Sequence, residues 1–496
     1  MSVLLNRLTP LAQAIKGAVL FTGLVMITGC AVGPRYSRPS APIAQSYKEV
    51  PAGWKTAQPS DQFLRGKWWE VFQDQQLNAL EEQVNVSNQN LKVAQARYLQ
   101  ARALVRIDRA GYFPTVTIGA TASRNRTSAN ARSAFSGVTF NDFALPVDVS
   151  YEADVWGRVR RTVEAARESA QASAADLESV SLSLHAELAI DYFQLRSLDA
   201  EEQLLKSTVA AFEEALQLTL NRFRGGIASE VDVAQAQTQL ENTRAQMVDV
   251  QVQRAQFEHA VAALTGKPAS DFSLPSSPLA TPPPLIPPGI ASDLLERRPD
   301  IASAERLMAA ANANIGVARA AYFPAFLLSG TGGVESRAAG TFLNLSSGFW
   351  GIGAAAVQTV FDGGRRRAGV EQARAAYDQN VATYRQTVIT AFQEVEDNLA
   401  AQRILQDETK AQDAAVVAAE HSLALSLNRY RGGVTTYLEV ITAQSAALSN
   451  ERSAVQILGR RMTAAVLLIK ALGGGWDSSQ LAQNRAPGNL QTTAGP

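Results

Sequence analysis

Asn221-Arg222-Phe223-Arg224-Gly225-Gly226-Ile227 and Asn428-Arg429-Tyr430-Arg431-Gly432-Gly433-Val434 are one phrase written twice. Ahead of the first copy, Arg158 to Arg224 runs without a proline or a glycine, and Arg365 to Arg431 reads as its repeat. A segment without breakers stays helical until something stops it, and at 1.5 Å per residue each such helix is on the order of 100 Å long. Ordinary globular helices span ~8–20 residues. The glycine pair is the stop, and a return helix follows to about Leu264 and about Leu472. Apolar residues recur at alternating steps of four and three. They are Val159, Val163, Ala166, Ala170, Ser173, Leu177, Val180 and Leu184 in the first helix. In the second they are Tyr377, Val381, Tyr384, Val388, Ala391 and Val395. That period is the signature of coiled-coil packing.

Working outward, the duplication covers most of the chain. Ala110-Gly111-Tyr112-Phe113-Pro114 returns as Ala320-Ala321-Tyr322-Phe323-Pro324, and Trp156-Gly157-Arg158 aligns with Gly363-Gly364-Arg365. Two copies are too few for a solenoid and suit a pseudo-symmetric protomer in a ring. Between the copies, Leu274 to Gly289 is dense in proline and predicts a stiff, extended linker. In each copy a helix ends at Tyr-Phe-Pro, since proline cannot continue it. Two extended runs follow around a Gly/Ser-rich loop. In the first copy Phe143, Leu145, Val147, Val149 and Tyr151 alternate with Asp142, Asp148, Ser150, Glu152 and Asp154. Val116, Ile118, Ala120 and Ala122 alternate in the same way with Thr115, Thr117, Thr121 and Ser123. The second copy is weaker, over Phe326 to Val334 and Trp350 to Phe361. Apolar-out, polar-in strands of ~10 residues are what a water-filled barrel in a bilayer needs. Four strands cannot close such a barrel, so closure requires further copies.

Composition narrows the function. Lys plus Arg and Asp plus Glu are 46 each across 496 residues, which argues against binding nucleic acid by bulk charge. Mean hydropathy of −0.07 excludes a helical membrane transporter. One cysteine and three histidines leave no Cys cluster and little acid–base or metal chemistry. His185, His259 and His421 lie on long helices without a second ligand at binding spacing, and no Gly-x-x-x-x-Gly-Lys phosphate loop is present. Neither an enzyme, a cofactor nor a metal site is expected, and any energy for transport must come from a partner. At the N-terminus, Arg7 and Lys16 precede an apolar stretch from Gly17 to Ile27. It ends in Ile27-Thr28-Gly29-Cys30, a signal peptide closing on a lipobox whose cysteine takes the lipid, palmitate among its acyl chains. Ala31 follows where an inner-membrane retention signal would have Asp.

Taken together, these features resemble the TolC/OprM superfamily, and more narrowly the NodT-type outer-membrane efflux lipoproteins. The strings that carry the resemblance are Cys30-Ala31-Val32-Gly33-Pro34-Arg35-Tyr36-Ser37-Arg38-Pro39, Trp68 to Asp74, Asp293 to Ile301 and Phe361-Asp362-Gly363-Gly364. Arg35 departs from the Asp often found there. The resemblance implies a mainly α protein with transmembrane β: a trimeric 12-stranded outer-membrane barrel continued by a long periplasmic helical barrel. It also implies a passive efflux duct docked on a periplasmic adaptor and an inner-membrane pump of the RND class. The expected divisions begin with a signal peptide at 1–29, a lipidated segment with the first equatorial and helical elements at 30–109, and a first transmembrane β-hairpin at 110–157. A first helical hairpin covers 158–270, a Pro-rich linker 271–290 and an equatorial helix 291–321. The second β-hairpin covers 322–363, the second helical hairpin 364–473 and a tail 474–496. A lipid-anchored periplasmic scaffold or adaptor is the rival. It would need one helical hairpin and compact β-domains, not two hairpins and two amphipathic strand pairs.

Three sets of site residues follow. Cys30 is the lipidation site. The helical tips Gly225, Gly226, Ile227, Gly432, Gly433 and Val434 are the adaptor-docking surface, because helix ends expose backbone groups. By alignment with TolC, Tyr430, Asp232 and Glu439 form the gate: a Tyr430–Asp232 hydrogen bond as latch and a ring of Glu439 carboxylates. Thr435 and Thr442 replace the family's other latch and constriction residues, and apolar closure by Leu438 is the alternative. Arg158, Arg160, Arg161 and Arg365 to Arg367 oppose the local helix dipole. They are expected to meet inner-leaflet phosphates or the carboxylates Asp154 and Asp362, or else to be solvated.

Overall fold

The computed structural model describes residues 31–42, 46–49, 66–130, 136–286 and 294–476. The leader, Cys30, residues 287–293 and the tail from 477 lie outside them. A 3-10 turn at Trp68–Phe72 leads into α1 (Gln75–Ser87) and α2 (Gln89–Ala110). Then come β1 (Thr115–Ile118), β2 (Thr121–Arg126), β3 (Thr139–Ala153), α3 (Arg158–Arg224) and α4 (Glu230–Leu264). After the linker follow α5 (Leu294–Arg297), α6 (Pro299–Ala320), β4 (Ala325–Ser336), β5 (Gly348–Val357), α7 (Arg365–Arg431) and α8 (Tyr437–Ala471). The two long helices each have 67 residues and the two return helices 35. α7 does contain one glycine, Gly369, where a Cβ would meet nothing within 4 Å. Its cost of about 1 kcal/mol is absorbed by the turns on either side. Among the described residues no helix is long and apolar enough to cross a membrane.

Two compact units divide the chain. The first, residues 1–39, 99–172 and 304–383, holds one antiparallel sheet in the order β1-β3-β4-β5, with β2 also on β3. The run expected as a single strand from Thr115 is broken in two. Thr115 pairs with Ser150 and Thr121 with Ala144, so the register is the same on both sides of the break. Its cause is Pro146. Gly119 N donates to Pro146 O at 3.0 Å, and proline has no N–H to return the bond. On the other side Pro146 faces Gly333, where a Cβ would lie 2.2 Å from Leu145 O. β5 ends at Val357, short of the expected Phe361. Val357 pairs with Ala325, and the next partner position is Pro324, which cannot extend the ladder.

A strap formed by residues 32–38 lies along one face of α6. Val32 N donates to Trp156 O (3.0 Å), Asn312 Nδ2 to Pro34 O (3.3 Å), and Tyr36 Oη to Glu305 (3.4 Å). Gly33 has φ +119°, and a Cβ there would sit 2.6 Å from Gly316 Cα. Only two glycines allow chain and helix to approach this closely.

Residues 40–98, 173–303 and 384–496 form the second unit, which is helical. Within it α7 buries a narrow seam, Tyr384, Val388, Ala391, Val395 and Leu399, following the four–three spacing. α3 differs: Ala172, Ala174, Ala175, Ala186, Leu188, Ala189, Tyr192 and Leu195 bury it on most sides. A wide buried face of small residues marks a helix packed all round.

Asp199 is fully buried and accepts Arg196 Nη1 (2.7 Å), Arg254 Nε (2.7 Å) and Ser277 N (2.9 Å). The same arginines donate to Pro275 O and Leu274 O, both at 2.8 Å. One carboxylate thus fastens the start of the proline-rich linker to α3 and α4. Asp199→Ala should destabilise by about 3–5 kcal/mol, because it leaves the buried Arg196 guanidinium without a carboxylate and Arg254 with Glu258 alone. Denaturant titration checks this, and a loss under about 1 kcal/mol would mean that the network carries no stability.

His185 stacks on Trp69 at 4.5 Å, with Nδ1 2.6 Å from Glu81 Oε2 and Nε2 3.1 Å from Asn85 Oδ1. Lys67 and Glu178 line the adjoining cavity of about 290 Å³. Burial, then the charge of Glu82, drives Glu81 well above its ordinary 4.5. Burial lowers His185 from 6.5 to about 4. The folded pair therefore keeps its proton on Glu81, whose hydroxyl donates to Nδ1. In the unfolded chain the proton sits on the histidine instead. The lowered His185 makes stability rise with pH between about 4 and 6.5, and the raised Glu81 makes it fall as pH climbs from 4.5 through its folded range, so the two oppose each other. The Glu81 contribution is fully present below 4.5 and is lost as pH rises through its raised folded value. Glu81→Gln keeps a neutral donor and should remove that decline with rising pH in denaturation curves. An unchanged slope would place the titrating group elsewhere.

Candidate functional site: a two-faced sheet, its helix junctions and the helical tips

Register sets the chemistry of the sheet. Val116 and Ile118 lie opposite Val149 and Val147. Those lie opposite Gly330 and Gly332, which face Ile352 and Trp350 in turn. One surface is therefore apolar across β1, β3, β4 and β5, and Val116, Ile118, Val147, Leu328, Trp350 and Ile352 on it are exposed, while β2 brings Arg124 and Arg126 to the same face beyond Ala122. The opposite surface carries Thr115, Thr117, Asp148, Ser150, Ser329 and Thr331, with small Gly351 and Gly353 completing it on β5. Leu327, opposite Glu152, is a departure from the pattern. A continuous apolar face belongs against lipid and a polar one against water. The sheet has two open edges, β1/β2 and β5.

At the junctions, the arginines that oppose the helix dipole are answered by carboxylates just ahead of each helix. Asp154 accepts Val159 N (2.9 Å), Arg160 N (2.9 Å) and Arg160 Nε (3.2 Å). Asp362 accepts Gly364 N (3.1 Å), Arg366 N (3.2 Å) and Arg366 Nε (2.7 Å). Each carboxylate supplies the negative charge that a helix start favours and holds an arginine as well. Arg158 pairs with Glu152 and Arg161 with Glu164, while Arg365 and Arg367 are exposed. Beside them Trp156 stacks on Phe323 at 4.7 Å and donates Nε1–H to Pro324 O at 2.8 Å. Ala31 meets this corner too, since a Cβ on Gly157 would lie 2.9 Å from Ala31 Cα. The residue after Cys30 is thus held where the sheet ends and α3 begins.

Both tips close by the same backbone device. Ile227 N bonds Arg222 O (2.8 Å) and Gly226 N bonds Phe223 O (2.9 Å). Val434 N bonds Arg429 O (2.9 Å) and Gly433 N bonds Tyr430 O (3.0 Å). Gly226 and Gly433 both have φ +72°, the left-handed position of this motif. Gly225 and Gly432 precede them in the last turn. Ile227 and Val434, usually tucked back against the helix in such a cap, are 69% and 71% exposed.

The gate candidates are dispersed within the protomer. Asp232 Oδ2 accepts Ser229 N (2.9 Å), and Ser229 Oγ accepts Asp232 N (3.2 Å), a capping box at the start of α4. Tyr430 is 3% exposed among Ala236, Tyr437 and Val440, with Oη donating to Thr219 Oγ1 at 3.4 Å. No Tyr430–Asp232 bond forms among the described residues of one chain, since each group is engaged elsewhere. Glu439 pairs with Arg429 at 3.3 Å, and Leu438 is exposed. Arg222, not singled out from the sequence, is central here. Its Nη1 donates to Tyr430 O (2.8 Å) and Arg431 O (3.1 Å), and its Cζ lies 4.5 Å over the Tyr430 ring. Its place in the repeated Asn-Arg-aromatic-Arg-Gly-Gly phrase was the signal.

Comparison with known proteins gives the same answer. Residues 80–267 and 290–474 match the family described as outer membrane efflux protein. The chain is 34% identical, over 95% of its length and 97% of theirs, to two Pseudomonas putida proteins. These are the antibiotic efflux pump outer membrane protein ArpC and the toluene efflux pump outer membrane protein TtgC. Its fold is similar to the Campylobacter jejuni CmeC outer membrane channel, with a TM-score of 0.85 and 27% identity, covering 92% of this chain and 97% of that one. With its two-faced sheet, paired long helices and internal repeat, the chain belongs to the outer membrane efflux protein family and is the outer-membrane channel component of an efflux system.

Proposed function

We propose that this chain assembles as a homotrimer, a passive duct with no enzymatic step. It receives small molecules from an inner-membrane RND-class pump through a periplasmic adaptor. The observation that carries the reading is the sheet with one apolar face, one polar face and two open edges. Unpaired edges are not tolerated in hydrocarbon, and joining β5 of one copy to the β1/β2 edge of the next satisfies both. Relatives whose pumps are named for antibiotics and for toluene support a cargo of chemically varied small molecules. A lumen face of Thr, Ser and Asp suits a water-filled path that selects little, which leaves selectivity to the pump.

A lipid on Cys30 anchors each copy. The strap supports this, because it delivers Ala31 to the Trp156–Gly157 corner at the end of the sheet. The tips, with Ile227 and Val434 exposed beside their glycines, are the docking surface for the adaptor. Resting closure sits at the same tips. Tyr430 ties the two hairpins of one chain through Thr219, Asp232 stiffens the start of α4, and Glu439 contributes one carboxylate per copy.

Native mass spectrometry of the mature protein in detergent should give a trimer. Each chain should begin at Cys30 and carry a diacylglyceryl and an N-acyl group. A monomer sinks the assembly, and another N-terminus sinks the anchor.

In planar bilayers the trimer should conduct weakly alone and more strongly with its adaptor. Ile227→Trp and Val434→Trp, which spare the turn glycines, should abolish the adaptor's effect with the trimer intact. Glu439→Gln should lower cation preference. A normal adaptor response in both tip variants would move docking elsewhere, and unchanged ion selectivity would remove Glu439 from the gate.

A further inference from the structure

The two tips share sequence and backbone but not surroundings. Arg222 of the first hairpin caps the last carbonyls of α7 and stacks on Tyr430, which shares a buried cluster with Ala236 against which Leu216 and Leu218 of the first hairpin pack. At the constant offset of the repeat, Arg222 corresponds to Arg429, Tyr430 to Phe223, and Leu216, Leu218 and Ala236 to Leu423, Leu425 and Ala443. The second set has the same chemistry, yet inside the chain only Ala443 of it is buried. Phe223 is 42% exposed where Tyr430 is 3%, and Leu425 is exposed. Arg429 makes only a half-exposed pair with Glu439, an interaction of little net worth.

We propose that Arg429 closes the ring of tips between copies. In the trimer its guanidinium caps the Phe223 and Arg224 carbonyls of the next copy and stacks over that copy's Phe223. The Phe223 ring in turn packs on Leu423 and Leu425. This repeats between chains the contact that Arg222 makes within one. A head-to-tail contact of this kind closes into a ring when its rotation does, and the internal copy shows that the residues fit. The two classes of contact differ in one atom. Tyr430 adds a hydroxyl bond to Thr219, and Phe223 has none, so the tips part first along the seams between chains.

The inference rests on the trimer proposed above, and the experiment separates the two. Engineered cysteines report cleanly here, because Cys30 is the chain's own single cysteine. Leu218→Cys with Tyr430→Cys should cross-link within one chain. Phe223→Cys with Leu425→Cys should give covalent dimers and trimers on non-reducing gels. A trimer by native mass with no inter-chain product, while the first pair still cross-links, overturns this inference alone. A monomer overturns the inference together with the assembly.

Conductance supplies the second readout. Arg429→Ala should raise resting conductance about tenfold, the factor expected for one charge-assisted hydrogen bond of ordinary strength. Arg429→Lys keeps the charge beside Glu439 but lacks the planar fork, and should leak like the alanine variant. Wild-type resting conductance in Arg429→Lys would mean that charge alone suffices and would overturn the capping role.

Discussion

Backbone groups at the edge of a sheet in hydrocarbon have nowhere to go. This constraint organises the chain, because its sheet has an open edge on each side and can be satisfied only by another sheet like it. Alternation along each strand follows, since a one-residue slip would move Val147 and Val149 to the water side and Asp148 to lipid. The tolerance for Pro146 on the inner strand β3 follows too. It lies on the polar face, and register with β1/β2 persists on both sides of it. A break costs less where water replaces the missing donor than where lipid surrounds it.

Gene duplication supplies the second half of the design. Each β-pair feeds a 67-residue helix through a junction where a carboxylate caps the first turn and clamps an arginine. Each helix ends in the same left-handed glycine cap. The copies then diverge at the tips. Ser229 and Asp232 form a capping box, whereas Thr436 makes no side-chain cap bond and Glu439 is left to Arg429. One tip has a stiff helix start and the other a carboxylate paired across the turn with Arg429, a difference that a perfect repeat could not provide.

Much of this was legible in the sequence because the governing rules are local. A glycine pair after a breaker-free run predicts a left-handed cap, and the four–three spacing picks out the α7 seam residue by residue. What escaped depends on partners far along the chain. The break at Gly119 comes from Pro146 across the sheet. The Glu81–His185 pair joins residues 104 apart in sequence, so spacing along the helix gives no sign of it. α3 carries a seam pattern yet is buried on most sides, since its alanines admit neighbours that periodicity does not reveal. Alignment placed Asp232 opposite Tyr430. Local chemistry placed its carboxylate on Ser229, three residues away, where the capping bond carries no loop-closure cost.

Long helices can move only where little has to break. Opening a tip by unwinding α3 or α7 would forfeit a backbone hydrogen bond per residue and disrupt the buried seam at Tyr384, Val388 and Val395. Parting the tips as rigid pieces leaves every cap intact, because the Gly226 and Gly433 motifs satisfy their own carbonyls from within. The contacts then lost are single guanidinium-to-carbonyl bonds and one aromatic face, each worth on the order of 1–3 kcal/mol. An adaptor docked as proposed on the exposed Ile227 and Val434 would have only to exceed a small number of such terms. On that proposal, weak contacts at the far end of the stiffest elements would keep closure and release within reach of one docking event.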